Sequence, residues 1–547
     1  MKFINVVFTI FILIFIVGSG LAAKSGPIEM RTGANITLDG GKVLASPNGT
    51  AATDLWTVQQ SWDKINKSGD TMQGVLNVVN GTGQAAASYA QLHAGATAVT
   101  VGFADTDYIV SGTAVDEIQA AVDHQYVHGG GDVILAPGNY SGFGSSEFIL
   151  KRGVRLIGSG AWYSSNATST HINAVTTFTV TGSTYPAIKV EGGMWTVQNI
   201  RAWYPNQVRT NVTMTVYPEF ISDTNHYDAT GFVIRYVNFG NAYAAVKFDA
   251  SCGPGEIKDC TGFPRNGIYL DNAWDSITIS DVHFHPLWMG LIDPDQSTVA
   301  GLPAVIGQIQ RYGTAFKVLR NDGGSMTRCF GIYYHEGINI TYPAGDMSLS
   351  QCMMDGTPHG FVLLGSTHVK LSQCLAYAST AYPTPQVFAT DDCGFLIQGV
   401  AANGHIGYNS LTDCDVGRSG GDAFTILSSS HNVIQGGTAT GWNQASATAY
   451  KSAVSVTPAD WTAVANGIHN GIYRASNVTG TRGITSTAMY TQISGINVLE
   501  CNNYSIYLGS GGYYNIVSGS TVISATVNSR DLSTGSDKSH NIGLTFS

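Results

Sequence analysis

The sequence predicts an all-β fold, a coil of short parallel strands closed at its start by one helix. Three observations carry this. Charged residues make up only 12% of the 547 residues, about half the usual share, while Gly reaches 65 and Tyr 26. Long helices need Glu, Lys and Arg on their wet faces, whereas Thr, Ser, Asn, Gly and Tyr can cover an exposed sheet. Apolar runs of three to six residues recur between Gly, Asn, Asp and Ser, and they seldom flank the matched hairpin signals of a sandwich. Finally, Cys329, Cys352 and Cys374 are spaced by 23 and 22 residues, one turn of such a coil, in a repeated context.

The chain opens MKFINVVFTIFILIFIVGSGLAA. A positive start, an apolar run and small residues read as a secretory signal over 1–23, cut near Ala23; the alternative is an uncleaved anchor. Export makes the ten Asn-x-Ser/Thr triplets glycosylation candidates: Asn35, Asn48, Asn66, Asn80, Asn139, Asn166, Asn211, Asn339, Asn477 and Asn503. Residues 24–110 form a separate region, low in charge and rich in Gly, Ala and Thr. Within it, KSGDTMQGVLNV at 67–78 resembles a repeat of phage tail fibres. That resemblance implies attachment to a virion or cell surface; the alternative is a plain linker.

Residues 114–128 form a helix whose Val115, Ile118, Ala121, Val122 and Gln125 share one face. Such a helix covers the first turn of a solenoid, which would otherwise expose unpaired backbone. Gly129 to Gly131 permit a tight turn, and Val133-Ile-Leu then Val154-Arg-Leu-Ile start the strands. Rung-like runs follow, among them YPAIKV, TGFVIRYVNFG, NGIYLDN and DSITISDVHF. Ser348-Leu-Ser-Gln-Cys352 recurs as Lys370-Leu-Ser-Gln-Cys374 and more loosely as Ser410-Leu-Thr-Asp-Cys414. These cysteines are expected to stack inward, with Cys374 and Cys414 near two turns apart. Buried thiols pack as small apolar groups, and export also allows disulfides, for which Cys252 with Cys260 is the best pair. Residues 440–470 read as a polar excursion carrying Trp442 and Trp461, after which rungs return to about 530. Residues 531–547 read as a tail.

The box from Ala114 to Gly160, AVDEIQAAVDHQYVHGGGDVILAPGNY followed by FILKRGVRLIGSG, resembles the entrance to a β-helix of the pectate-lyase-like superfamily. That superfamily holds polysaccharide lyases, glycoside hydrolases and phage tailspikes. The resemblance implies a right-handed, single-stranded parallel β-helix with an N-terminal helical cap over 111–530. It also implies a surface glycan or polysaccharide as partner, possession or lack of depolymerase activity being open, and a homotrimer as in tailspikes. The alternative is a non-enzymatic structural or adhesive rod. A net charge of −10 with scattered basic residues argues against nucleic acid.

Three clusters could carry chemistry. Asp391, Asp392, His405 and Arg418 faintly resemble the polygalacturonase site, which implies catalytic roles for Asp391, Asp392 and His405. The departures are a short Asp392–His405 step, Ile after His405, and no Arg-x-Lys; the alternative is a turn. A second cluster, Asp271 to Asp295, contains Asp281, His283 and His285, which alternate as along one strand. Trp274 and Trp288 there could stack on sugar. Asp293 and Asp295 are the one calcium candidate, and no other cofactor or metal is expected. The third cluster is Glu336 with Asp346 or with Asp355 on the next rung, a carboxylate pair for hydrolysis beside His335, Tyr333 and Tyr342. A solvated face is the alternative for both of these clusters.

Overall fold

The structure, a computed structural model, describes residues 107–160 apart from 111, and from 175 to 538 all but 209–212, 224–227, 251, 291–301, 379–391, 402–403, 405–406, 443–450, 458–464, 475–480, 502, 511, 524–528 and 534. Before these it describes residues 36–38, 41–43, 75–80 and 83–88. The chain divides into two units, Met1–Val99 and Thr100–Ser547. In the first unit Ile36–Leu38 pairs antiparallel with Gly41–Val43, and Val75–Asn80 with Gly83–Ser88. The second pair takes in the end of the tail-fibre-like motif.

The second unit is a right-handed, single-stranded parallel β-helix. One rung illustrates it. Thr314–Val318 lies in a first sheet, Ser325–Thr327 in a second and Phe330–Ile332 in a third, and the chain then enters the first sheet again at Glu336. Among the described residues the first sheet has 14 strands, from Ile149–Lys151 to Arg530–Asp531. The second has 15, from Asp107–Val110 to Ile516–Ser518, and the third has 10, from Thr261–Gly262 to Thr521–Ile523. In the early rungs a three-stranded sheet, Gly138–Phe143, Thr176–Val180 and Ile200–Trp203, precedes the third, and bridges through Asn238 join the two.

The expected cap is present. Helix α1, Val115–Val127, buries Val115, Ile118, Ala121, Val122 and Gln125, the face read from the spacing. Gln119 also acts as a surrogate strand. Its Nε2 donates to the Ile149 carbonyl (3.1 Å) and its Oε1 accepts from the Ile149 N–H (2.7 Å), at the edge of the first sheet.

Each corner has its own residue pattern. Between the second and third sheets one residue adopts positive φ, as at Asp259, Asp281, Arg328, Gln351, Gln373 and Asp413 (φ 51 to 56°). The next residue turns inward, and register places Cys260, Val282, Cys329, Cys352, Cys374 and Cys414 on consecutive rungs. The inward cysteine stack is therefore real and includes Cys260. Two details differ from expectation. Cys374 and Cys414 are one rung apart, because Lys370–Ser372 pairs directly with Ser410–Thr412 and residues 379–391 are inserted between. All eight cysteines are buried and none forms a disulfide; Cys252 and Cys260 sit at different corners, on either side of the strand Gly255–Lys258. Burial pushes both thiols up to about 12, so they pack as apolar groups.

The core is apolar and aromatic. Phe361, Phe395 and Phe424 stack on successive rungs at 4.5 and 5.1 Å. At the corner from the first to the second sheet the filling becomes polar: Asn409, Asn432 and Asn466 are buried and hydrogen-bond along the axis. The 440–470 segment is less of an excursion than its polarity suggests. Trp442 is fully buried, and Lys451–Thr457 is a regular first-sheet strand. Trp461 lies outside the described residues.

Candidate functional site

First-sheet strands share a sequence pattern: a polar residue, then Gly or Ala, then two alternating apolar residues. NGIYL, TAFKV, EGINI, HGFVL, CGFLI, DAFTI and SAVSV all fit it. The small residue is required by crowding at the corner. A Cβ on Gly337 would lie 2.4 Å from the Gly360 carbonyl oxygen, and one on Gly360 2.7 Å from that of Gly394. The leading residue sits at the corner itself: Thr314, Glu336, His359 and Asp422 are half-buried, while Cys393 and Ser452 are buried. Register then places Thr314, Glu336, His359, Cys393, Asp422 and Ser452 on successive strands. Successive members are one strand spacing apart, about 4.8 Å.

Glu336 sits within this column and is held. Asn339 Nδ2 donates to its Oε2 at 2.9 Å, and Thr314 Oγ1 donates to the same oxygen at 3.3 Å. Asn339 is itself steadied by Thr341 Oγ1, which donates to its Oδ1 at 2.6 Å. The Asn339 side chain is 4% exposed, so this sequon is not a glycosylation site in the folded chain. His359 is next above. Its ring meets His335 edge to face at 5.0 Å, and its Nδ1 is 3.9 Å from Cys393 Sγ. Farther along, Asp422 accepts the Ser452 N–H at 2.5 Å. Burial raises the Asp422 carboxyl above the usual carboxylate range, against that N–H and the nearby Lys451 and Arg482.

Asp355 ends the third-sheet strand Met353–Asp355, across the corner from the first sheet. Burial raises its carboxyl too, partly offset by the Gly356 N–H. Tyr333, at the same corner with φ 62°, is buried and donates its N–H to the Asp355 carbonyl. Tyr342 is exposed at the other end of the Glu336–Thr341 strand, a strand length from Glu336. Asp346 is a positive-φ residue beyond it, at the corner leading to the second sheet, away from Glu336.

The other clusters are dispersed. Asp391 and His405 lie outside the described residues, as do Asp293 and Asp295. Asp392 is 4% exposed, and its carbonyl accepts from Ser419 Oγ and the Gly421 N–H, a corner role. Arg418 lies over the Tyr377 ring. Asp281 is a turn residue with φ 56°, not a strand neighbour of His283, and it pairs with Arg328 through two bonds of 2.7 and 2.8 Å. His283 and His285 face the third sheet beside Phe330, and His283 also meets Trp288. Burial lowers both imidazoles, that of His285 to about 4, so both are neutral near pH 7. His285 Nδ1 accepts the Leu287 N–H, which leaves the proton on Nε2. Trp274 is 58% exposed at another corner, stacked on Arg320. Among the described residues, no group of three or more His, Cys, Asp or Glu side chains could hold a metal.

No protein-family model matches the chain, and no curated protein does. Among solved structures it is similar to the A-module of the Azotobacter vinelandii mannuronan C-5 epimerase AlgE6, at 13% identity and a TM-score of 0.35, over 79% of this chain and 95% of that one. The catalytic unit of a GH87 alpha-1,3-glucanase from Streptomyces thermodiastaticus strain HF3-3 is similar at 11% identity and 0.38, over 82% and 71%. An alginate lyase from Paenibacillus sp. str. FPU-7 is similar at 12% and 0.34, over 70% and 98%. Likeness of this degree transfers no residue role and no substrate; the β-helix rests on the strand register itself.

Proposed function

We propose that the solenoid, once exported, binds an extended glycan along the outer face of the first sheet and hydrolyses it at Glu336. The observation that carries this is the placement of two carboxyls, Glu336 and Asp355, on the two sides of the corner between the third and first sheets, one rung apart. Glu336 is held by two donors, Asn339 and Thr314. Burial raises the carboxyl of Asp355, which ends the third-sheet strand of the next rung, and so favours its protonated form. A hydrogen-bonded carboxylate can serve as base or nucleophile, and a carboxyl that burial raises can serve as acid. Glu336 and Asp422 cannot form the pair, since three strand spacings, about 14 Å, exceed the roughly 5–10 Å that hydrolysis uses. The column suits a sugar polymer in another way. Two rungs span about the length of a disaccharide, and hydroxyl, carboxylate and imidazole groups alternate with the apolar Val362 and Leu396 of the neighbouring column.

The test is a panel of neutral and acidic polysaccharides, with binding read by affinity electrophoresis and cleavage by new reducing ends. Glu336→Gln and Asp355→Asn are expected to keep binding and to lose about 10²–10⁴-fold in rate. Unsaturated uronate absorbance in place of simple reducing ends would show elimination and sink the hydrolytic assignment. No retardation and no product on any glycan would leave the rod as the reading.

A further inference from the structure

The last turn of helix α1 carries two histidines outside the solenoid. His124 and His128 are four residues apart, so they lie one above the other on one face. Both are exposed, and their ring centroids are 4.3 Å apart. His128 is already set as a ligand. Its Nδ1 lies 2.7 Å from the His124 carbonyl oxygen. A carbonyl only accepts, so Nδ1 carries the hydrogen and Nε2 keeps its lone pair. Metal-bound imidazoles show this same arrangement, one ring nitrogen on the ion and the other N–H on a carbonyl. His124 is placed from the strand Asp107–Val110 by Tyr108, whose ring centroid is 5.3 Å away. The neighbouring Asp123 is engaged elsewhere, by Lys151 Nζ at 3.1 Å and Gln119 Nε2 at 3.1 Å.

We infer that His124 and His128 chelate one divalent transition-metal ion, of the class of Cu²⁺, Ni²⁺ and Zn²⁺, at the end of α1. Two nitrogens each about 2.0–2.1 Å from one ion lie about 3 Å apart. Side chains four apart on a helix start about 5–6 Å apart at Cβ and converge on such a point. With His128 fixed by its hydrogen bond, the adjustment falls to the exposed His124 ring, whose terminal torsion is broad. Imidazole selects these ions over Ca²⁺ and Mg²⁺, which take oxygen ligands. The C-terminal end of a helix carries partial negative charge, which also favours a cation there. Two side chains leave the other coordination positions to water, so the site is distinct from the closed sets of three or more, absent among the described residues. Its place gives it a structural consequence. The turn it would tie leads into the strand Gly131–Leu135 and is closed by the Gly130 N–H on the Gln125 carbonyl at 2.9 Å. That turn belongs to the cap, at the end of the solenoid where a rung lacks one partner. The site is apart from Glu336 and does not depend on the hydrolytic reading.

The test is calorimetric titration of the full chain with the chlorides of Cu²⁺, Ni²⁺, Zn²⁺ and Ca²⁺, with electron paramagnetic resonance of the Cu²⁺ form. Cu²⁺ is expected to bind tightest, as the order of first-row ions dictates, and to show hyperfine coupling to two imidazole nitrogens. His124→Gln and His128→Gln should each weaken the tightest Cu²⁺ site by at least about tenfold. Both side chains are exposed, so neither variant should change melting in the presence of a chelator. Bound Cu²⁺ should slow hydrogen exchange at the N–H groups of His128, Gly129 and Gly130 in wild type and in neither variant. The resonance spectrum and the exchange of the wild-type chain decide the matter even where a variant fails to fold. A Cu²⁺ isotherm unchanged in both variants, coupling to fewer than two imidazoles, unchanged exchange at the end of α1, or Ca²⁺ binding that depends on the same two residues overturns the inference.

Discussion

Asn432 shows how much of this fold is decided by single side chains. It follows His431, whose positive φ turns the chain, and it points into the solenoid with no solvent exposure. Its Nδ2 donates to Asn466 Oδ1 at 3.1 Å and to Ser429 Oγ at 3.0 Å. Its Oδ1 accepts the Asn409 N–H at 3.2 Å and Asn409 Nδ2 at 3.1 Å. The corner interrupts the strand ladder, and the amide takes over the backbone donor that the interruption strands. Asn432→Ala leaves donors and acceptors on both neighbouring rungs unpaired, at about 1–3 kcal/mol each. The expected result is a clear fall in the urea midpoint, and Asn432→Leu should not restore it, because volume is not what is lost. A midpoint unchanged from wild type would mean that water or relaxation satisfies these groups.

At the scale of elements, the cap and the strands differ in how plainly the sequence shows them. The apolar face of α1 was legible because spacing of three and four residues has one common cause, burial against a flat rung end. Gln119 was not legible. A glutamine on a helix reads as solvated, and only the placement of Ile149 reveals that its amide completes a sheet edge. The cysteine stack was legible from 22 to 23 residue spacing, but the inserted residues 379–391 disguised a single rung as two. The column at the start of the first-sheet strands was hidden for another reason. Its members are Thr, Glu, His, Cys, Asp and Ser, so residue type carries no signal. The signal is the position before the small residue that corner crowding demands. Gln119→Ala should therefore speed hydrogen exchange at Ile149 and in the strand Val154–Ile157, without affecting distant rungs such as Phe424–Leu427. Unchanged exchange near Ile149 would show that the apolar face of α1 alone seals the edge.

At the scale of the whole molecule, each rung contacts its two neighbours, so stability is close to a sum over rungs and their interfaces. Such a sum has weak points only at its ends, where a rung lacks one partner. At the N-terminal end that partner is α1, which lies inside the unit Thr100–Ser547 with Asp107–Val110, the outermost strand of the second sheet. Everything needed to close that end is thus contained in the second unit. A chain starting at Thr100 is expected to melt at the temperature of the solenoid transition in the full chain, with the same urea dependence. It should also keep the glycan retardation at the first sheet, whose named residues all belong to the second unit. A lower melting temperature for the shortened chain would assign Met1–Val99 a share in the fold. An unchanged melting temperature with lost retardation would instead assign that unit a share in binding, and the two outcomes separate attachment from folding in one comparison.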